Sequence, residues 1–176
     1  MANYTRFEID TAYHEAAHAV GHVVLDHDLY STSRVPPQPG KLGGTHGRVL
    51  PDSLTKGSSN WGGRRFSSDE IDAIKDEITI ILMGDMVEAE LNGKGRVFDA
   101  NNVQTEDDMM IVGRMTSVWP EYNVADGKVA MLAERARRII DENWGYIELV
   151  AEGLLDNKTL SGDDVQRLRP ATTPTP

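Results

Sequence analysis

Ala12-Tyr13-His14-Glu15-Ala16-Ala17-His18-Ala19-Val20 decides how this 176-residue chain is read. Its centre is His14-Glu15-Ala16-Ala17-His18, an HExxH pattern within an apolar-periodic run. On a helix, residues four apart are neighbours on one face, with Cβ atoms about 5–6 Å apart. Two imidazoles at that spacing can reach one Zn²⁺ at about 2.0–2.1 Å each. Glu15 follows the first histidine directly, so it borders the metal without binding it. From there it can take a proton from an activated water, as the general base of a zinc peptidase does. The pattern arises by chance in roughly one chain of this length in a couple of hundred. A chance match would not respect context. Here Ala12, Ala16, Ala17 and Ala19 keep the backbone helical and admit a close helix neighbour. Asp10 or Thr11 is the expected N-cap, with the helix covering residues 10–27.

Downstream, residues 31–67 are rich in Gly and Pro, which break regular structure. Only residues 45–50 read as a short strand, flanked by glycines. A second helix opens at Ser67 or Ser68 as cap, with Glu70 in its first turn. Ile71, Ile74, Ile78, Ile81, Leu82, Met86 and Ala89 recur at helical spacing, and Asn92-Gly93 ends it. A third helix opens at Thr105 and ends before Pro120. A fourth covers residues 124–155, with a break expected near Trp144-Gly145. A short last helix opens at Ser161, with Asp164 three residues on as an acidic capping box. Residues 170–176 read as a disordered tail. The fold class expected is mainly α, a helical bundle with a small β element after the first helix.

Composition narrows the function classes. Hydrophobic content is 39% and charged content 26%, ordinary for a globular chain. No apolar run approaches the roughly 20 residues that span a bilayer, so no membrane segment is expected. Met1-Ala2-Asn3-Tyr4-Thr5-Arg6-Phe7 has no apolar signal-peptide core. Cysteine is absent, which leaves histidine and carboxylates as the strong metal ligands. These features point to the cytoplasm. The formal charge of −10 argues against nucleic acid as a partner.

Three segments resemble the peptidase domain of the FtsH-type, AAA-linked zinc metalloproteases. The first is the stretch already quoted, similar to that family's AYHEAGHAV helix with Ala17 in place of glycine. Leu82-Met83-Gly84-Asp85-Met86-Val87-Glu88-Ala89-Glu90-Leu91 resembles its LGGRVAEEL helix. Residues 149–160, LVAEGLLDNKTL, resemble its C-terminal LAxxLLExETL. The order and rough spacing match over about residues 10–169, implying one peptidase-like domain over residues 1–169 with a zincin-like site. The sequence contains no GxxxxGK[ST] loop, so the ATPase that normally feeds this peptidase is not expected here.

A catalytic zinc takes three protein ligands and keeps one position open. His22 lies two turns from His14, about 12 Å along the axis, and cannot close the same site. The position a metzincin would use, ten residues after the first histidine, is Val24. The resemblance implies an Asp at the start of a later helix, matching Gln104-Thr105-Glu106-Asp107-Asp108-Met109. In the family that Asp is followed directly by an apolar residue, with more at the fourth and seventh positions; Met109, Val112 and Met115 match this from Asp108, so the resemblance implies Asp108, with Asp107 as the alternative. The same acidic run can also simply cap a helix and complement its dipole. Glu88 is a further ligand candidate, but its family counterpart is not a ligand, so support of the site or helix packing is the role expected of it. The resemblance also implies that the strand after the first helix pairs with extended substrate. His46, in that strand, is a lesser candidate beside the cleft and otherwise an exposed loop residue. Trp61, Arg64 and Arg65 read as part of a flap, and Trp119, Trp144 and Tyr146 as core or interface.

The expectation is a zinc-dependent endopeptidase cutting unfolded or flexible polypeptides without ATP. His14, His18 and Asp108 hold the metal and Glu15 is the base. The rivals are a regulatory or adaptor protein keeping the fold without proteolysis, and a peptidase dedicated to one regulatory partner. Oligomeric state is left open, a homo-oligomer being one option.

Overall fold

Thr5-Arg6-Phe7-Glu8 carries the earliest helix-start signal in the chain. In the computed structural model, which describes residues 4–35, 43–50, 65–95 and 128–171, it governs where the first helix begins. The Thr5 hydroxyl accepts from the Glu8 N–H, and the Glu8 carboxylate accepts from the Thr5 N–H at 2.9 Å. This capping box starts α1 at Arg6–Val24, ahead of the start expected at residue 10. Asp10, expected as a cap, instead pairs with Arg6 one turn earlier at 2.9 Å. The far end also stops short of His27. Asp26 takes a left-handed φ of 61°, and His27 N–H reaches back to His22 O at 2.8 Å. Together with the Asp26 N–H to Val23 O bond, this is a Schellman ending with Asp where Gly is usual.

A three-stranded antiparallel sheet follows, built from β1 (Asp28–Ser33), β2 (Gly44–Arg48) and the later β3 (Thr159–Ser161), in the order β2-β1-β3. One short strand at residues 45–50 was expected; β2 occupies that place, shifted by a residue or two. β1 and β3 have no counterpart in the sequence reading. Asp-Leu-Tyr-Ser-Thr-Ser carries no apolar alternation, so nothing local marks it as a strand. Its pairing is supplied from both sides: Thr32 lies opposite Thr45 in β2 and opposite Leu160 in β3.

The second expected helix forms as α2, Ser68–Leu91, capped by Ser67 with Glu70 completing the box. It ends at Asn92 with Gly93 in the left-handed region at φ 70° and Lys94 N–H bonded to Ala89 O. The last long helix, α3, spans Lys128–Asn157. Its expected break is present one residue early, at Asn143 (φ −122°, ψ 17°), whose side-chain amide donates to Ile139 O. Ser161 and Asp164 form the expected capping box of α4, Gly162–Arg167. The Ser161 hydroxyl and N–H, with Arg167, hold the Asp164 carboxyl down at about 2.

The chain is therefore mainly helical with a small sheet after its first helix. α1 is central, packing against both α2 and α3 and against the sheet. Its small side chains make this possible: Ala12, Ala16, Ala17, Ala19 and Val20 are fully buried. Around them pack Ile74, Ile78, Leu82, Met83 and Met86 of α2 and Ile140, Ile147 and Leu154 of α3. Tyr146 is buried as expected, its hydroxyl donating to Val165 O at 2.8 Å. Trp144 is half-buried beside Tyr13, with ring centroids 6.3 Å apart. The third predicted helix, with Asp107, Asp108 and Trp119, lies outside the described residues, as do Trp61, Arg64, residues 124–127 and most of the 170–176 tail. Among the described residues, no helix is long and apolar enough to cross a membrane.

Candidate metal centre

His14 and His18 occupy consecutive turns of α1, and both are buried. Their rings meet edge to face with centroids 4.6 Å apart, and their Nε2 atoms are 2.9 Å apart. The facing surface belongs to α2. Ile80, Gly84 and Glu88 lie four residues apart and form one ridge, set against the four-apart row of α1. His18 Nδ1 lies 2.9 Å from Ile80 O, and His14 Nδ1 lies 3.5 Å from Glu88 Oε2. Between them, a Cβ placed on Gly84 would fall 2.6 Å from His18 Nε2 and 2.9 Å from His14 Cε1. Glycine at that position gives the two rings their room, and even alanine would displace them.

A carbonyl oxygen only accepts, so His18 Nδ1 carries the hydrogen and Nε2 keeps its lone pair. Glu88, 3.5 Å from His14 Nδ1, is too far to fix the tautomer of His14. The two Nε2 atoms, 2.9 Å apart, suit either an N–H···N hydrogen bond from His14 to His18 or a cation held between them. Two nitrogens of a tetrahedral zinc site lie about 3.3 Å apart, given Zn–N bonds of about 2.0–2.1 Å. The pair fits such an ion with an opening of a few tenths of an ångström. Glu88 meets His14 at Nδ1, the ring nitrogen other than the one turned to His18, which is the position of an outer support. Among the described residues, no group of three His, Asp or Glu side chains that could hold a metal comes together. Asp108 and Asp107, the expected third ligand and its alternative, fall outside those residues.

Glu15 turns to the sheet. It is buried, and its Oε2 accepts a hydrogen bond from the Thr45 hydroxyl at 2.8 Å. Thr45 and Thr32, opposite each other in the β1–β2 pairing, have their hydroxyls 2.9 Å apart. Both also lie within reach of the Glu15 backbone carbonyl, at 3.1 and 3.4 Å. A side chain on Gly43 would press on Glu15 Cγ at 2.7 Å and on Ser33 O at 2.2 Å. His46, by contrast, is exposed.

His22 continues the histidine row of α1 but, as expected, stands apart from the pair. It is buried, its Nδ1 has no hydrogen-bond partner among the described residues, and burial together with nearby His18 and His27 pushes its pKa down to about 4. His27 is bound instead to Asp76 at 2.9 Å, which also accepts from Arg135, tying α1's exit turn to α2 and α3. An open cleft of about 650 Å³ is lined by Asp26, His27, Asp28, Arg48 and Asp69, among others. None of His14, Glu15 and His18 lines it.

Sequence reasoning singled out His46 and passed over its neighbour Thr45. Alternation along a strand puts consecutive residues on opposite faces, so an exposed His46 implies an inward Thr45. Gly84 also carried a signal: a glycine amid large apolar residues in a helix interior costs about 1 kcal/mol against alanine and usually has a packing reason. Compared with protein-family models and with curated proteins, the chain finds no match in either.

Proposed function

We propose that this chain is a zinc-dependent endopeptidase of the FtsH type, acting on unfolded or flexible polypeptides without ATP. The observation that carries the reading is the convergence of the His14 and His18 Nε2 atoms at 2.9 Å, with His18 Nδ1 turned to Ile80 O and Glu88 3.5 Å from His14 Nδ1. His14 and His18 would hold the metal, with Asp108, or else Asp107, completing the set. Zinc bound there would activate a water and polarise the scissile carbonyl. Glu15 accepts the proton of the attacking water and returns it to the leaving amine. Its burial keeps competing solvent from the carboxylate. β2 is one of the two outer strands among the described residues, and it carries Thr45 against Glu15. An extended polypeptide can pair along that edge by main-chain hydrogen bonds.

The test compares wild type with Glu15→Gln on casein at neutral pH, with zinc content measured in both. Glu15→Gln keeps size and hydrogen bonding but cannot take a proton. It should retain zinc and lose cleavage by at least about 100-fold. Zinc-loaded wild type that cleaves no unstructured substrate would favour a regulatory protein retaining the fold. Cleavage by Glu15→Gln at the wild-type rate would overturn the assignment of the base.

A further inference from the structure

The Glu15 carboxylate has two oxygens, and the sheet takes only one of them. Oε2 lies 2.8 Å from the Thr45 hydroxyl, while Oε1 accepts no such bond among the described residues. The Thr45 hydroxyl has a single proton and three acceptors in reach: Glu15 Oε2 at 2.8 Å, Thr32 Oγ1 at 2.9 Å and Glu15 O at 3.1 Å. An ionised carboxylate is the shortest and strongest of these, so the proton points to Oε2. Thr32 is fully buried and has two acceptors, Thr45 Oγ1 at 2.9 Å and Glu15 O at 3.4 Å; the nearer takes its proton. The result is a chain, Thr32 to Thr45 to Glu15, in which each hydroxyl polarises the next. Gly43 guards the other side. A Cβ there would lie 3.0 Å from Oε1, so its absence keeps space beside that oxygen.

We infer that Thr45, backed by Thr32, is a positioning residue that anchors Glu15 through Oε2 and leaves Oε1 as the oxygen that accepts and returns the proton. This rests on the zinc-peptidase reading above. The water's O–H bond breaks, an Oε1–H bond forms, and the same proton later passes to the leaving nitrogen; the Thr45 proton stays on its own oxygen throughout. Without the anchor the carboxylate can rotate, and Oε1 loses its fixed approach to the water.

Thr45→Val removes the hydroxyl at nearly constant volume, and Thr45→Ser keeps it. Thr45→Val should lower kcat on casein by about 10- to 100-fold, the scale of a misplaced reacting group, with KM and zinc content unchanged. Thr45→Ser should recover most of that loss, and Thr32→Val should show a smaller loss in the same direction. Equal losses in Thr45→Val and Thr45→Ser would overturn the inference, since the methyl and not the hydroxyl would then matter. So would a fully active Thr45→Val in a series where Glu15→Gln is inactive. A wild type that cuts nothing would instead overturn the peptidase reading. The anchor itself is tested without activity, in metal-free protein. Thr45→Val should lower Tm by roughly 2–4 °C, and by clearly less in a Glu15→Ala background. Equal drops in the two backgrounds would show that Thr45 and Glu15 are not coupled and would overturn the anchor.

Discussion

His14 and His18 lie against a helix, and Glu15, between them in sequence, lies against a sheet. The helical side is a meeting of two four-residue rows, with Ile80, Gly84 and Glu88 of α2 facing the imidazoles. Each row follows from spacing along its own helix, and the packing of the two helices sets which atoms meet. The sheet side is made of hydroxyls and a glycine from segments brought together by strand pairing. Thr45 meets Glu15 because β1 and β2 pair in one register, and a slip of one residue would turn its hydroxyl to the opposite face. On the proposed reading the first surface would hold a cation by shape, and the second would aim a carboxylate by hydrogen bonds. Substitutions on one side should therefore change metal affinity and leave the proton chemistry alone, and those on the other the reverse.

Removing a ligand tests the division most severely. His14→Ala or His18→Ala should abolish stoichiometric zinc, measured by metal analysis of the purified protein. Full zinc in both variants would dismiss the helical side as a metal centre. The third ligand belongs to the same test. Asp108→Ala should weaken zinc binding far more than Asp107→Ala, and the opposite order would shift the register by one residue. Loss with Glu88→Ala alone would move the ligand to α2.

Gly84→Ala is the next largest. The added carbon would lie 2.6 Å from His18 Nε2, so the ring must move. Overpacking of this kind costs about 1–3 kcal/mol. It should appear as a 10- to 100-fold weaker zinc affinity, with little change in kcat per zinc bound. A kcat that falls at unchanged affinity would break the separation between the two sides. Glu88→Gln should act in the same direction but more weakly, by about tenfold, the low end for an outer partner. Its 3.5 Å separation from His14 Nδ1 is long for a charge-assisted bond.

The smallest effect concerns His22, one turn beyond the pair. Its pKa is pushed down to about 4 by burial and by His18 and His27, whereas the unfolded chain titrates near 6.5. The unfolded state thus takes up this proton first as pH falls. The stability contributed by neutral His22 is complete above about 6.5 and is lost as pH drops from there towards 4. At pH 5.5 the loss should be about 1 kcal/mol, read from denaturant unfolding in chelator, and His22→Gln should remove that part of the slope. An unchanged slope would mean that His22 is not held neutral.

How much of this was legible follows from the range of each signal. Ser67 with Glu70, Asn92-Gly93 and Ser161 with Asp164 each act within four residues and end or begin their helices where expected. Thr5-Arg6-Phe7-Glu8 is an equally local signal and prevails over Asp10 because it satisfies two backbone donors at once. β1 carried no such mark, because its side chains are polar and its partners are remote. The Thr32–Thr45 contact spans 13 residues, and the Ser33–Thr159 contact 126.

The sequence by itself determined the two histidines one turn apart, the carboxylate beside the first, and the small residues that let other helices approach. Those are properties of helical periodicity, which repeats every 3.6 residues wherever the helix lies. Only the tertiary structure decided which atoms face them: Ile80 O and Glu88 on the ring nitrogens, Gly84 between the rings, Thr45 on Glu15. The reason is physical. A side chain's partners across a packed interface depend on the register of two elements, and no residue within either element records the position of the other.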